Sequence, residues 1–382
     1  MLPVIPPLSD EQQAILDTVR DFATREVAPR AAEIDETAQF PWDLVHKMAD
    51  MGLMGLVFPE QYGGAGQSFV LLALVVEELC AACATTGLIL DVTITLCGEP
   101  ILRFGSEAQK EKYLRALASG RQLGALAMTE PEAGSDAAGI RTTAVRDGDH
   151  YVLNGRKVFC TNGGVADIYV VTTVTDRAAG HRGITNFVVE KGTPGLSFGE
   201  PLRKLGITAS ATTDVILEDC RVPAANVLGA EGLGFKITME TLDAGRIGIA
   251  AQAVGIARAA LEAATAYAQQ RQQFGQPIAS FQGIQFMLAD MATAVEAARL
   301  LTLRAAHLRD QEIPGARESA MAKCFAGDTA MRVATDAVQI FGGYGYIKDF
   351  AVERHLRDAK ITQIYEGTQQ IQRVVIARSL LR

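Results

Sequence analysis

The feature that most limits what this chain can fold into is a change of hydrophobic period near Leu123 that reverses near Gly234. Between Leu123 and Leu228, short β-rich runs are punctuated by Asp147-Gly148, Asn154-Gly155, Gly163-Gly164, Gly183 and Pro194-Gly195. Tyr169–Val174 and Asn186–Val189 read as the clearest strands. Turns at this density predict a small antiparallel barrel or sandwich. After Gly234 the period is helical to the end: 240–270, 281–309 and 316–341 are long and rich in Ala, Leu and Ile at helical spacing.

The first third is helical as well. Ser9 and Gln12 form a capping box ahead of an amphipathic stripe of Ile15, Leu16, Val19, Phe22 and Ala23. Pro41 suits the first turn of a second helix, which carries Leu44, Val45 and Met48 and stops at Gly52. Residues 56–64 hold too many breakers for anything but a loop. Stretches 69–83 and 88–104 are apolar nearly all round, the mark of buried helices, and a capping box of Ser106 and Gln109 opens one more, to about Ser119. The expected fold is α+β: an N-terminal helical bundle over 1–122, a small antiparallel β-domain over 123–231 and a C-terminal helical bundle over 232–382.

With 382 residues, 48% of them hydrophobic, the chain can bury ample core, and its formal charge of −8 offers nucleic acid or an anionic membrane no counterion-release gain. No uncharged apolar run reaches transmembrane length, and Met1–Pro7 lacks a basic region followed by an apolar one. A cytoplasmic protein or a mature organellar one is expected. Cys80 and Cys83 have Cys-x-x-Cys spacing but lie in an apolar helical run with no second pair at zinc spacing, so they read as buried hydrophobes rather than metal ligands. No Gly-x-Gly-x-x-Gly follows a strand and opens a helix, and no P-loop is present.

Chemistry concentrates near the C-terminus. In Ile364-Tyr365-Glu366-Gly367-Thr368, a carboxylate precedes a glycine and the start of a helix. Gly367 lets a ligand approach the main chain, and Glu366 places a base beside its own N–H donor, a pairing suited to proton abstraction next to a carbonyl. Taken alone, a solvated acid near a helix N-terminus is the better reading of Glu366, since most acids are solvated.

The segment resembles the acyl-CoA dehydrogenase family, in which an Ile-Tyr-Glu-Gly-Thr run supplies the catalytic glutamate, and the resemblance spans nearly the whole chain. Met128-Thr129-Glu130-Pro131 with Gly134-Ser135-Asp136 is similar to the family's flavin loop, which implies that Leu126, Ala127, Met128 and Thr129 contact FAD and that Ser135 faces both FAD and CoA. Phe159-Cys160-Thr161 stands where the family usually has Trp-Ile-Thr along the flavin, an aromatic face without the indole N–H. Arg271-Gln272-Gln273-Phe274-Gly275 resembles the Arg-x-x-Phe-Gly signature that reaches the FAD of a neighbouring subunit: an arginine fork suits a pyrophosphate and Phe274 a stacked adenine. Gln282 and Gln339-Ile340-Phe341-Gly342-Gly343 match further cofactor positions, as do Thr368, Gln369 and Gln370 after the glutamate. Asp243-Ala244-Gly245-Arg246, with Gly367, matches the segments that face the substrate. Some subfamilies carry the catalytic glutamate at the position of Gly245, so glycine there leaves Glu366 as the base.

What the resemblance implies is an FAD enzyme that removes the α-proton of an acyl-CoA with Glu366 while a β-hydride passes to the flavin, giving a trans-2-enoyl-CoA. It further implies an electron-transfer flavoprotein as acceptor and a homotetramer built as a dimer of dimers. The C-terminal pattern is most like short-chain members, and room at Gly245 suggests a short, branched or cyclic acyl group. An acyl-CoA oxidase, a flavin monooxygenase and a flavin-free assembly subunit are the alternatives on the same scaffold.

Overall fold

The computed structural model describes residues 7–381, so most of the Met1–Pro7 start read above lies outside it. The first helix, Asp10–Phe22, begins where the capping box places it: the Ser9 hydroxyl accepts from the Gln12 N–H and the Gln12 side chain from the Ser9 N–H, both at 3.2 Å. Pro41 stands one residue outside the Trp42–Asp50 helix, as its cap rather than in its first turn. The 56–64 loop is more ordered than its breakers suggest. It holds a 3₁₀ turn at Glu60–Tyr62, and Leu56 and Phe58 are core residues. Gly64 permits this, since a Cβ there would stand 2.0 Å from the Phe58 carbonyl oxygen.

The two apolar stretches are buried helices. One is Phe69–Ala82; the other starts at Ala84, four residues before the apolar run suggests, and continues through a π-helical segment, Val92–Gly98, into Glu99–Phe104. Cys80 and Cys83 are buried free thiols between them. Both Ala84–Phe104 and Gly234–Gln270 are apolar and long enough by composition to cross a membrane, yet 94% and 72% of their most apolar windows are buried inside this protein. They are core helices.

The middle segment forms one sheet from β1 (Gly124–Ala127), β2 (Thr143–Asp147), β3 (His150–Thr161), β4 (Ile168–Val174), β5 (Ile184–Glu190), β6 (Leu196–Phe198), β7 (Thr212–Pro223) and β8 (Val227–Leu228). The order is β6-β7-β3-β2-β4-β5-β8, with β1 also paired to β4. Most pairs are antiparallel, as the turn pattern predicts, but β1 and β2 both run parallel to β4. Hairpin signals cannot reveal those pairings, which need crossovers rather than tight turns. β1 packs on the π-helical segment, where a Cβ on Gly124 would meet the Cys97 Cβ at 2.4 Å.

Gly234–Gln270 is the central helix, six residues longer at its start than the 240–270 reading, because Gly234 is itself helical. Its residues 244–257 are all buried, and the glycines and alanines among them let Phe69–Ala82, Gln282–Asp310 and Ala316–Phe341 all pack against it. Where acids enter these contacts they are paired: Arg258 meets Glu78 at 2.5 Å and Arg299 meets Glu77 at 2.9 Å. Val352–Ile361 and Gln369–Leu380 close the chain, and the seven residues between them include Glu366.

Candidate active site

Glu366 occupies left-handed backbone, φ +52°, followed by Gly367 at +93°. A non-glycine residue there costs about 1–2 kcal/mol and persists only when its surroundings hold it. Three side chains do so through carbonyls. Gln372 Nε2 donates to the oxygens of Glu366 (3.0 Å) and Gly367 (2.8 Å), buried Lys323 donates to Gly367 O (2.7 Å), and Arg246 Nε donates to Glu366 O (3.4 Å). Thr368 caps the final helix by accepting from the Ile371 N–H.

The result is a carboxyl group turned inward against the central helix. Among the described residues Glu366 Oε2 is buried with no hydrogen-bond partner. It lies in a notch created by Gly245, where a Cβ would stand 2.1 Å from Oε2 and 2.7 Å from Leu96 Cδ2. The room expected beside Gly245 for a branched acyl group is therefore filled by the Glu366 carboxyl itself. Burial pushes that carboxyl up to about 7, against the opposing pull of Arg246 and Lys323. Burial likewise brings the Lys323 ammonium down to about 8.

Leu126–Thr129 and Phe159–Thr161 lie side by side. Val158 N–H donates to Thr129 O at 2.8 Å, and the buried Lys157 ammonium reaches Met128 O at 3.0 Å and Glu130 Oε1 at 2.8 Å. A bulge after Lys157 puts Phe159 at φ +57° and leaves its ring 67% exposed. With Thr129 and Thr161 partly exposed beside it and Gly134-Ser135 at the surface, this face mixes an apolar ring with hydrogen-bonding groups, and it fits a planar ring with a heteroatom edge such as a flavin. Asn162 ties it to the π-helical segment, donating to Gly124 O at 3.1 Å and to Thr93. Thr93 and Leu96 are three residues apart on that segment, so it both bonds the β-face through Thr93 and lines the Gly245 notch through Leu96.

Four expected contacts do not face a site. Cys160 is 2% exposed with its thiol turned inward, 3.5 Å from Leu126 O, because the bulge gives the outward position to Phe159. Gln369 is 4% exposed and committed to Lys323, Cys324 and Asp328. Ala244 and Ala127 are buried, at 0% and 1% exposed. Asp243 and Arg246 pair with each other at 2.7 Å, while Gln370 is exposed.

A second cluster forms at the far end of the central helix. Arg271, Ile340, Phe341, Gly342 and Gly343 line one groove, with Arg271 over the Tyr344 ring at 5.4 Å and Phe341 stacked on Tyr267 at 4.0 Å. Gln282, Gln339 and Phe274 are exposed, Phe274 almost completely at 92%. Gly245 and Arg271 stand on or just past one continuous helix, so roughly 39 Å separates the two clusters at 1.5 Å per residue.

Comparison with known proteins decides what this geometry belongs to. The chain matches the acyl-CoA dehydrogenase N-terminal domain over residues 9–121, the middle domain over 125–220 and the C-terminal domain over 232–381. The chain belongs to the acyl-CoA dehydrogenase family. An acyl-CoA dehydrogenase of Clostridium acetobutylicum described as short-chain specific is 51% identical over 375 residues, 98% of this chain and 99% of that one. Butyryl-CoA dehydrogenase from Megasphaera elsdenii superposes with a TM-score of 0.97 at 48% identity, covering 99% of this chain and 100% of the other. A chain solved in work on the electron transferring flavoprotein of Acidaminococcus fermentans and flavin-based electron bifurcation gives 0.97 at 52% identity, over 98% and 99% of the two chains. As an acyl-CoA dehydrogenase, the protein is an oxidoreductase and an FAD-dependent flavoprotein.

The sequence reading missed two groups that hold the Glu366 segment, Lys323 and Gln372, and a buried acid close to it, Asp91. Lys323 and Asp91 sit in stretches read for their apolar residues alone, whereas Gln372 stands six residues past Glu366 on the final helix. A charged residue inside a run hydrophobic all round is the signal that could have flagged Lys323 and Asp91.

Proposed function

We propose that this acyl-CoA dehydrogenase acts on short straight-chain acyl-CoA thioesters with Glu366 as the base. One observation carries the reading: a buried carboxyl oxygen without a partner, on a left-handed residue whose own N–H meets no protein acceptor among the described residues. An acid in that setting is poised near neutral pH, as general-base chemistry prefers. The thioester carbonyl accepts from the Glu366 N–H, which stabilises negative charge developing on that oxygen as Glu366 takes the α-proton. Lys323, Gln372 and Arg246 keep the segment from relaxing to ordinary backbone. Bound FAD, along the Leu126–Thr129 and Phe159–Thr161 face, supplies the acceptor for the hydride from the β-carbon.

A short acyl group follows from what lies beyond Gly245 on the same helix face. Asp91 abuts Gly248, and the Tyr365 hydroxyl bonds the Gln252 side chain, so a long apolar chain running along that face would meet polar groups. The two short-chain relatives agree with this. With an artificial electron acceptor, butyryl-CoA is expected to give a kcat/KM at least tenfold above palmitoyl-CoA, and the reverse order would overturn the assignment.

The roughly 39 Å between the Glu366 site and the Arg271 groove supports a flavin site shared between subunits, within a homotetramer arranged as a dimer of dimers. Arg271→Ala should then weaken FAD retention by about 2 kcal/mol, the worth of a charge-assisted phosphate contact. Release of FAD on dilution, followed by flavin fluorescence, measures it. Unchanged release, or a stable FAD-loaded monomer in light scattering, would remove the shared-site reading. Likeness to the Acidaminococcus chain supports an electron-transfer flavoprotein as the physiological acceptor.

A further inference from the structure

Asp91 is a carboxylic acid 1% exposed, and neither of its oxygens has a hydrogen-bond partner among the described residues. Leaving such a group unsatisfied is costly, and an acid with no structural bond to make calls for an explanation. Its seat is specific. A Cβ on Gly248 would stand 1.9 Å from Asp91 Oδ1 and 2.4 Å from Oδ2, so this glycine makes a notch for Asp91 as Gly245 does for Glu366. Gly245 and Gly248 are three residues apart on one helix, which places the two notches, each filled by a carboxyl, on the same face about 5–6 Å from each other. Of the neighbouring hydroxyls, that of Thr95 donates to the Asp91 main-chain carbonyl and lies close enough to the carboxyl to offset a little of its upward shift, while that of Tyr365 is bonded to Gln252.

We propose that Asp91 is a specificity-determining residue whose missing partner is carried by the substrate: a hydroxyl on the acyl chain, about four bonds beyond the α-carbon. The inference rests on Glu366 facing the α-carbon. From there an extended chain advances roughly 1.2 Å per bond, so a separation of about 5 Å is covered in about four. A hydroxyl suits the site better than an ammonium. Burial first, and the neighbouring Glu366 charge second, raise Asp91 well above the usual carboxylate range, which favours the neutral acid, a group able both to accept from and to donate to a hydroxyl. A methyl group at that point would leave Asp91 unsatisfied, whereas a hydroxyl completes it.

The test compares near-isosteric pairs on the FAD-loaded enzyme: 4-hydroxybutyryl-CoA against valeryl-CoA, and 5-hydroxyvaleryl-CoA against hexanoyl-CoA. Both kcat/KM and calorimetric Kd are measured, with butyryl-CoA as reference. The hydroxylated member of at least one pair should be preferred about tenfold or more by the unmodified enzyme. Asp91→Ala should abolish or reverse that preference, and Asp91→Asn, which keeps the donor and acceptor atoms, should retain most of it. An equal ratio in the unmodified enzyme and Asp91→Ala, by turnover and by binding, overturns the proposal, as does a preference for the alkyl members in both. Failure of the underlying reading looks different: no turnover of butyryl-CoA would count against short-chain dehydrogenation, while the binding ratios would still decide the role of Asp91.

Discussion

Replacing Glu366 by glutamine is expected to lower kcat by about 10²–10⁴ while leaving acyl-CoA and FAD binding near their original levels, because the amide keeps the size and the main-chain N–H but cannot take a proton. Anaerobic bleaching of the flavin by butyryl-CoA reads this step directly. Near-normal bleaching in the variant would falsify the assignment of Glu366. The raised carboxyl adds two pH signatures. Since the base must be ionised and burial holds it near 7, kcat/KM should rise with pH through about 7 and then level off. Stability should move the other way. In the unfolded chain this glutamate ionises around its ordinary 4.5, whereas in the folded protein it does so only around 7, so stability is lost as pH rises through that window. The loss is on the order of 3 kcal/mol above the upper limit. Glu366→Gln should therefore melt close to the unmodified protein near pH 4.5 and measurably higher at pH 8. A melting difference that does not depend on pH would show that Glu366 is not held neutral by the fold.

Much of the architecture was legible because it rests on local rules. The capping boxes at Ser9 and Ser106 fixed two helix starts, and the helix 316–341 has the bounds its pattern predicts. Glu366, Gly367 and the Arg271 and Gly342 groups were all visible as motifs. The misses share a different origin, in that each depends on what crosses the space between distant segments. The parallel β1–β4 pairing brings Gly124 opposite Ile168. Cys160 turns inward because a register shift separates Lys157 from Cys160 on their pairing with β7. The role of Gly245 was read with the wrong sign: a missing side chain suggests room for substrate until the fold places Glu366, 121 positions later, in that room. Lys323 stands out along the chain only as a charge in an apolar helix and Gln372 not at all, and both acquire a purpose only where Glu366 and Gly367 offer them carbonyls.

That last correction makes Gly245 the second strong test. In Gly245→Ala the new Cβ would start 2.1 Å from Glu366 Oε2 and 2.9 Å from its Cδ, when ordinary contact begins near 3.4 Å. Leu96 Cδ2, 2.7 Å away, blocks the methyl on another side, so the carboxyl must retreat by more than 1 Å. A displacement of that size in a reacting group costs about 10² in rate, which is the expected fall in kcat. The fold itself should not suffer in proportion, since alanine favours a helix interior over glycine by about 1 kcal/mol. Activity and melting temperature are thus expected to separate, with kcat falling sharply while the melting temperature holds or rises. Emptying the notch from the other side provides the complement. Glu366→Gly removes the obstructing carboxyl, and adding Gly245→Glu returns one to the same space from the central helix, so the double variant should recover part of the activity lost in Glu366→Gly alone. If Gly245→Ala turned over butyryl-CoA at the original rate, the Glu366 carboxyl would have to act from somewhere other than the Gly245 notch, and the geometry assigned to the base would be wrong.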